Sequence, residues 1–128
     1  MDANQALTEL AELSSQVERA VVLDAKGSVV ASTGGESDAL ARSAVDLLGA
    51  AQELHASAGD VTRAEVELAE GGLFVLREGG RTIAAATGPN PTSGLVVYDL
   101  RTCLEGIDEE EKPKRRRTAR KPKDGEDK

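Results

Sequence analysis

Arg19-Ala20-Val21-Val22-Leu23-Asp24-Ala25-Lys26-Gly27-Ser28-Val29-Val30-Ala31-Ser32-Thr33 is the stretch that decides the fold. Residues 19–24 and 28–33 are rich in β-branched and small apolar side chains, and a short polar connection, Ala25-Lys26-Gly27, separates them. Gly27 can take the positive φ that a tight loop demands, so the spacing predicts an antiparallel hairpin. Asp24 then has a turn role, its carboxylate bonding the loop amides. A general-base role is the rival reading, and the turn accounts for the residue without a substrate.

Upstream of the hairpin, Ala3, Ala6, Leu7, Leu10, Leu13 and Val17 recur at helical spacing, with Gln5, Glu9, Glu12 and Gln16 opposite them. This predicts an amphipathic helix over 3–17. Downstream, Thr33-Gly34-Gly35-Glu36 breaks the strand, and Ser37 is placed to cap a second helix reaching about His55. Its stripe is Leu40, Ala44, Leu47, Leu48, Ala51 and Leu54, flanked by alanines at 39, 41 and 50 that would let another helix come close.

After Ala58-Gly59-Asp60, the run Arg63-Ala64-Glu65-Val66-Glu67-Leu68 alternates charged and apolar residues, as a strand with one wet face does. Turn signals at 70–72 and 78–81 bracket Leu73-Phe74-Val75-Leu76, which reads as a strand covered on both faces. A further strand, 82–87, completes a meander. The stiff connection Gly88-Pro89-Asn90-Pro91 leads to a third helix capped by Thr92 or Ser93, with Val96, Val97, Leu100, Cys103, Leu104 and Ile107 along one side. The order α-β-β-α-β-β-β-α, joined by short hairpins, is an α+β arrangement around a five-stranded antiparallel sheet.

Charge divides the chain in two. Residues 1–107 hold 16 acidic and 7 basic side chains, a net of −9, whereas 108–128 hold 7 and 9. The first part is expected to be the folded domain. The second, in which Lys112, Lys114, Arg115, Arg116, Arg117, Arg120, Lys121 and Lys123 follow Asp108-Glu109-Glu110-Glu111, is expected to be a disordered charged tail, because it has too little apolar surface to offset its ordering entropy. An acidic domain repels nucleic acid and anionic membrane, so any such binding falls to the eight cations of 112–123. A solvated, solubilising end is the competing reading of those residues, and self-association with the acidic domain is a third.

Only Phe74 and Tyr98 are aromatic, which argues against a base-stacking platform in the domain. Cys103 stands alone, excluding an intramolecular disulfide and fitting a reducing compartment. The opening residues Met1-Asp2-Ala3-Asn4 show no basic region followed by an apolar stretch, and the strongly apolar runs, such as 73–76, fall far below the roughly 20 residues of a membrane span. A soluble, cytoplasmic protein is expected.

Nothing in the sequence assembles chemistry. His55, the only histidine, has no partners for a metal site or a nucleophile–base pair and reads as a packing residue at a helix end. Cys103 sits within an apolar stripe and reads as a small hydrophobe rather than a reactive thiol. The string 88–94 lacks the lysine and spacing of a phosphate loop, and its two prolines remove amides that would meet a phosphate. An arginine finger would have to come from Arg19, Arg42, Arg63, Arg77, Arg81 or Arg101, and spacing singles out none of them. A non-enzyme without cofactor, metal or small-molecule substrate is expected.

The hairpin 19–32, together with Thr87-Gly88-Pro89-Asn90-Pro91-Thr92-Ser93-Gly94-Leu95-Val96, resembles the corresponding turns of the roadblock (dynein light chain roadblock-type) family, and the likeness covers about 3–107. It implies a homodimer in which two third strands pair into one continuous sheet while the second helices pack together. In this chain that implicates Arg63, Ala64, Glu65, Val66 and Glu67, with Leu47, Ala50 and Ala51. It also implies a non-catalytic scaffold or regulator of a Ras-like small GTPase or an associated signalling complex. The charged tail departs from the family pattern. The alternative function is a dimeric tether that uses 112–123 to hold nucleic acid or anionic membrane.

Overall fold

The structure is a computed structural model that describes residues 1–54, 57 and 59–107. His55 and the whole of 108–128 lie outside the described residues. The elements are α1 (Ala3–Leu13), β1 (Val17–Leu23), β2 (Val29–Thr33), α2 (Ser37–Leu54), β3 (Arg63–Leu68), β4 (Gly71–Glu78), β5 (Arg81–Thr87) and α3 (Ser93–Glu105). The expected order holds. The sheet runs β2-β1-β5-β4-β3 with every neighbouring pair antiparallel, so the two hairpin-built halves meet where β1 pairs with β5.

The pleat explains the layering. Ala20 and Val22 of β1, Phe74 and Leu76 of β4, and Ile83 and Ala85 of β5 point to one face and pack beneath α1 and α3. Their sequence neighbours Val21, Leu23, Val75 and Ala84 point to the other face, beneath α2. Because both faces are covered, the central strands read as continuous apolar runs instead of alternating ones. Burying each large side chain, such as Leu100 at 0 % exposure, contributes about 1.5–3 kcal/mol.

Local chemistry sets the element ends. Asp2 caps α1 through a reciprocal pair of bonds: its Oδ1 accepts from the Gln5 amide at 2.8 Å, and the Asp2 amide donates to Gln5 Oε1 at 3.0 Å. The helix stops at Leu13 rather than continuing to Val17, because Ser14 turns extended and its hydroxyl accepts from the Gln16 and Val17 amides. Val17 therefore opens β1, and Leu13 is left 77 % exposed. In the hairpin, Gly27 has φ +87° and Asp24 Oδ1 accepts from the Lys26 and Ser28 amides at 2.9 and 3.0 Å, the turn role read from sequence.

The corner from β2 to α2 is tighter than its residues suggested. Gly34, Gly35 and Glu36 all have positive φ, and a Cβ on Gly34 would lie 2.6 Å from Arg19 Cγ and 2.8 Å from the Glu18 carbonyl. Arg19 Nη1 holds Glu36 at 2.7 Å across this corner. Ser37 consequently begins the helix instead of capping it, the first turn closing from the Leu40 amide to the Glu36 carbonyl.

Two more boundaries shift. Gly71 and Gly72 lie within β4, paired with Leu68 and Glu67, so the glycine pair belongs to the strand as well as to the turn. Thr92 is the residue preceding α3, but its side chain makes no capping bond. All six stripe residues of α3 and its exit, from Val96 to Ile107, are buried as expected.

Candidate interaction surface

β3 lies at the edge of the sheet, with β4 as its sole strand partner among the described residues. Alternate backbone groups along its outer side are therefore without a ladder, which is the state that invites another strand. Its side chains divide between the two faces. Ala64 and Val66, paired with Val75 and Leu73, face the α2 side, and Leu68 follows them in the same alternation. Arg63, Glu65 and Glu67 face the α1/α3 side, where Arg63 Nε and Glu65 Oε2 sit 3.5 Å apart.

The α2 side carries the apolar part of the surface. Leu40, Ala41, Ala44 and Leu48 make the inner face of the helix, so Ala41 is a core residue and not a flank. Leu47, Ala64 and Leu73 are half-buried and pack at the margin of the same core cluster beneath α2. Ala51 is half-buried and Ala50 exposed on the same helix, the small residues that closest approach requires. Leu54 was expected in the inner stripe and is instead 78 % exposed. Leu68 is 61 % exposed.

The structure thus brings Leu47 and Ala64 into one margin and places Val66 beside it, while Arg63, Glu65 and Glu67 reach the same edge from the opposite face. Sequence reasoning missed Leu54, Leu68 and Leu73 as surface groups. Their signal was present in part: Leu68 continues the alternation of Ala64 and Val66, and only the edge position reveals that nothing covers it. Lys112, Lys114, Arg115, Arg116, Arg117, Arg120, Lys121 and Lys123 lie outside the described residues, as does His55.

Cys103, the turn at 88–94 and three of the arginines make contacts within the fold. Cys103 is free and buried at the seam of α3 with α1, and burial, with a smaller push from the Glu9 carboxylate, raises its thiol to about 11. A thiol so rarely ionised is a poor nucleophile. Asn90, with φ +56°, and Gln16, whose Oε1 accepts from the Thr92 amide at 2.5 Å, shape the turn at 88–94. Arg19, Arg63 and Arg101 are engaged by Glu36, Glu65 and Glu78. Among the described residues no cluster of histidine, cysteine and carboxylate groups has the makings of a metal site, and no helix is long and apolar enough to cross a membrane.

Comparison with known proteins places this geometry. Two solved Roadblock/LC7 domains from Streptomyces avermitilis superpose on the chain. One has a TM-score of 0.70 at 23 % identity, covering 82 % of this chain and 93 % of that one. The other has a TM-score of 0.68 at 24 % identity, covering 84 % and 99 %. The gliding protein MglB of Thermus thermophilus gives 0.69 at 19 % identity, covering 80 % and 83 %. No curated protein matches the sequence. The model of the Roadblock/LC7 domain matches residues 3–87, two thirds of the sequence and the span from the start of α1 to the end of β5. With that match and that sheet order, the chain belongs to the Roadblock/LC7 domain family.

Proposed function

We propose that the protein is a non-catalytic homodimeric module that scaffolds or regulates a Ras-like small GTPase or its signalling complex. The observation that carries the dimer is the continuity of the open β3 edge with the apolar margin of Leu47, Ala64, Val66, Leu68 and Leu73. Strand pairing there satisfies backbone groups, and the same approach removes the margin from water. The two effects act along one line, and an exposed edge flanked by apolar side chains is otherwise an aggregation hazard. A structural relative, MglB, has been solved in a tetrameric arrangement, at 18 % identity and a TM-score of 0.70. Family membership supports the regulation of a GTPase, and an acidic domain is suited to a partner with a basic surface.

Light scattering on the purified chain is expected to give twice the monomer mass, and Leu68→Asp with Leu54→Asp to give the monomer with unchanged circular dichroism. Capture of a Ras-like GTPase that depends on the bound nucleotide is the matching functional test. A monomer together with nucleotide-blind or absent capture would sink the reading.

A further inference from the structure

We infer that the groove between α1 and α3 is the docking site of the chain's own basic segment, 112–123. This groove lies on the opposite face of the sheet from α2, so the inference stands apart from the proposed dimer.

The two helices run antiparallel. The Met1 nitrogen donates to the Gly106 carbonyl at 3.2 Å at one end, and the Thr92 amide donates to Gln16 Oε1 at the other. Between them is a cavity of about 150 Å³ floored by Leu10 and Cys103, with Glu9 on one wall and Asp99 on the other. Leu13 stands at its far end, 77 % exposed. On α3, Leu95 stands one turn before Asp99 and Tyr98 one turn before Thr102, so Leu95 and Tyr98, exposed by 55 % and 67 %, flank the groove's rim on the outer side of the helix. An apolar strip with carboxylates along it results.

Those carboxylates are unspent. Among the described residues neither Glu9 nor Asp99 makes an ion pair, and Arg101, the cation of α3, is turned to Glu78. The negative end of the α3 dipole adds to the field at the groove's mouth.

Chain path supplies the occupant. Ile107 is 5 % exposed and anchors the exit directly beside Gly106, which lines the groove. Residues 108–111 span at most ~13 Å when extended. Asp99 lies about 10 Å back along α3 from Gly106. Lys112 and Arg115 to Arg117 therefore reach Asp99, Tyr98 and Glu9 by folding back along the helix. Their aliphatic stems suit the apolar strip, and a guanidinium plane stacks on the Tyr98 ring. Tethering holds the segment at about millimolar effective concentration, enough for individually weak contacts to act together.

Tyr98, on the flank of the groove's rim, reports on a segment lying there without interference, because it is the only tyrosine in a chain without tryptophan. Acrylamide quenching of its emission is measured on the full-length protein at low and at high salt. The same is done for full-length R115Q/R116Q/R117Q and E9Q/D99N, each checked by circular dichroism. At low salt the unaltered chain should be quenched about twofold less than either variant, and high salt, which shortens the screening length from about 30 to about 3 Å, should erase the difference. Dilution should leave it unchanged. Equal quenching of the unaltered chain at low and high salt overturns the inference without recourse to a variant. So does a difference that vanishes on dilution, which would assign the groove to a second copy, or an E9Q/D99N protein that stays protected, which would place the tail elsewhere.

Discussion

The two faces of the sheet are built to different degrees of completion. On the α1/α3 face two helices cover large side chains, and Leu7, Ile83, Leu100 and Val96 are each at or below 1 % exposure. On the α2 face a single helix, with the small residues Ala41 and Ala44 on its inner side, covers Val21, Leu23, Val75 and Ala84 and leaves Leu47, Ala64 and Leu73 half-covered along the β3 side. The first face keeps the large apolar side chains of its strands and helices out of water. The second is left open on the side where the sheet also has an open edge, and a molecule that finishes its core elsewhere can afford to present this one to a partner.

Truncation tests the contrast most severely. Leu100→Ala should destabilise the fold by about 2–5 kcal/mol, read as a lowered urea midpoint, because closed packing has little room to collapse around the void. Leu48→Ala, on the inner side of the single helix α2, should fall at the lower end of that range; a loss as large as that of Leu100→Ala would break the comparison. Next comes the corner that carries the chain from one face to the other. Gly34→Ala forces a Cβ onto Arg19 and the Glu18 carbonyl at a positive φ, and should cost about 1–3 kcal/mol in the same measurement.

Smaller effects sharpen the picture. Asp2→Ala removes the reciprocal cap of α1 and should cost about 1 kcal/mol, seen as a lower thermal midpoint. A last effect is confined to alkaline solution. The Cys103 thiol is raised from 9.0 to about 11 in the folded protein, so the unfolded chain gives up the proton first. Stability tied to this thiol is complete below pH 9 and is lost as pH climbs toward about 11. Against Cys103→Ala, the unaltered protein should lose ground only within that window; parallel pH profiles would show that the α1–α3 seam does not shield the thiol.

The sequence made some of this legible and left the rest concealed. The first hairpin was readable because Asp24 and Gly27 are local devices whose action spans a few residues. The buried stripe of α3 was readable because its residues share one period. Which face of α2 turns inward was not, since Ala41 and Leu54 both fit an apolar stripe and only the sheet beneath chooses between them. The end of α1 was misjudged because Val17 keeps helical spacing while Ser14 bonds the amides that follow it. The edge position of β3 was suggested by alternation, yet the exposure of Leu68 depends on which strands lie beside it, a property no single segment carries.

Consider how the sheet must come together as the polypeptide is synthesised. One of its inner ladders joins β1 to β5, with Val22 opposite Ile83, so the first hairpin, complete at Thr33, waits until Thr87 is synthesised for the strand that flanks it. A two-stranded ribbon is marginal by itself in water. The N-terminal half therefore gains its permanent shape only when the last strand arrives, and the nascent chain is most vulnerable to mispairing in the interval before it does.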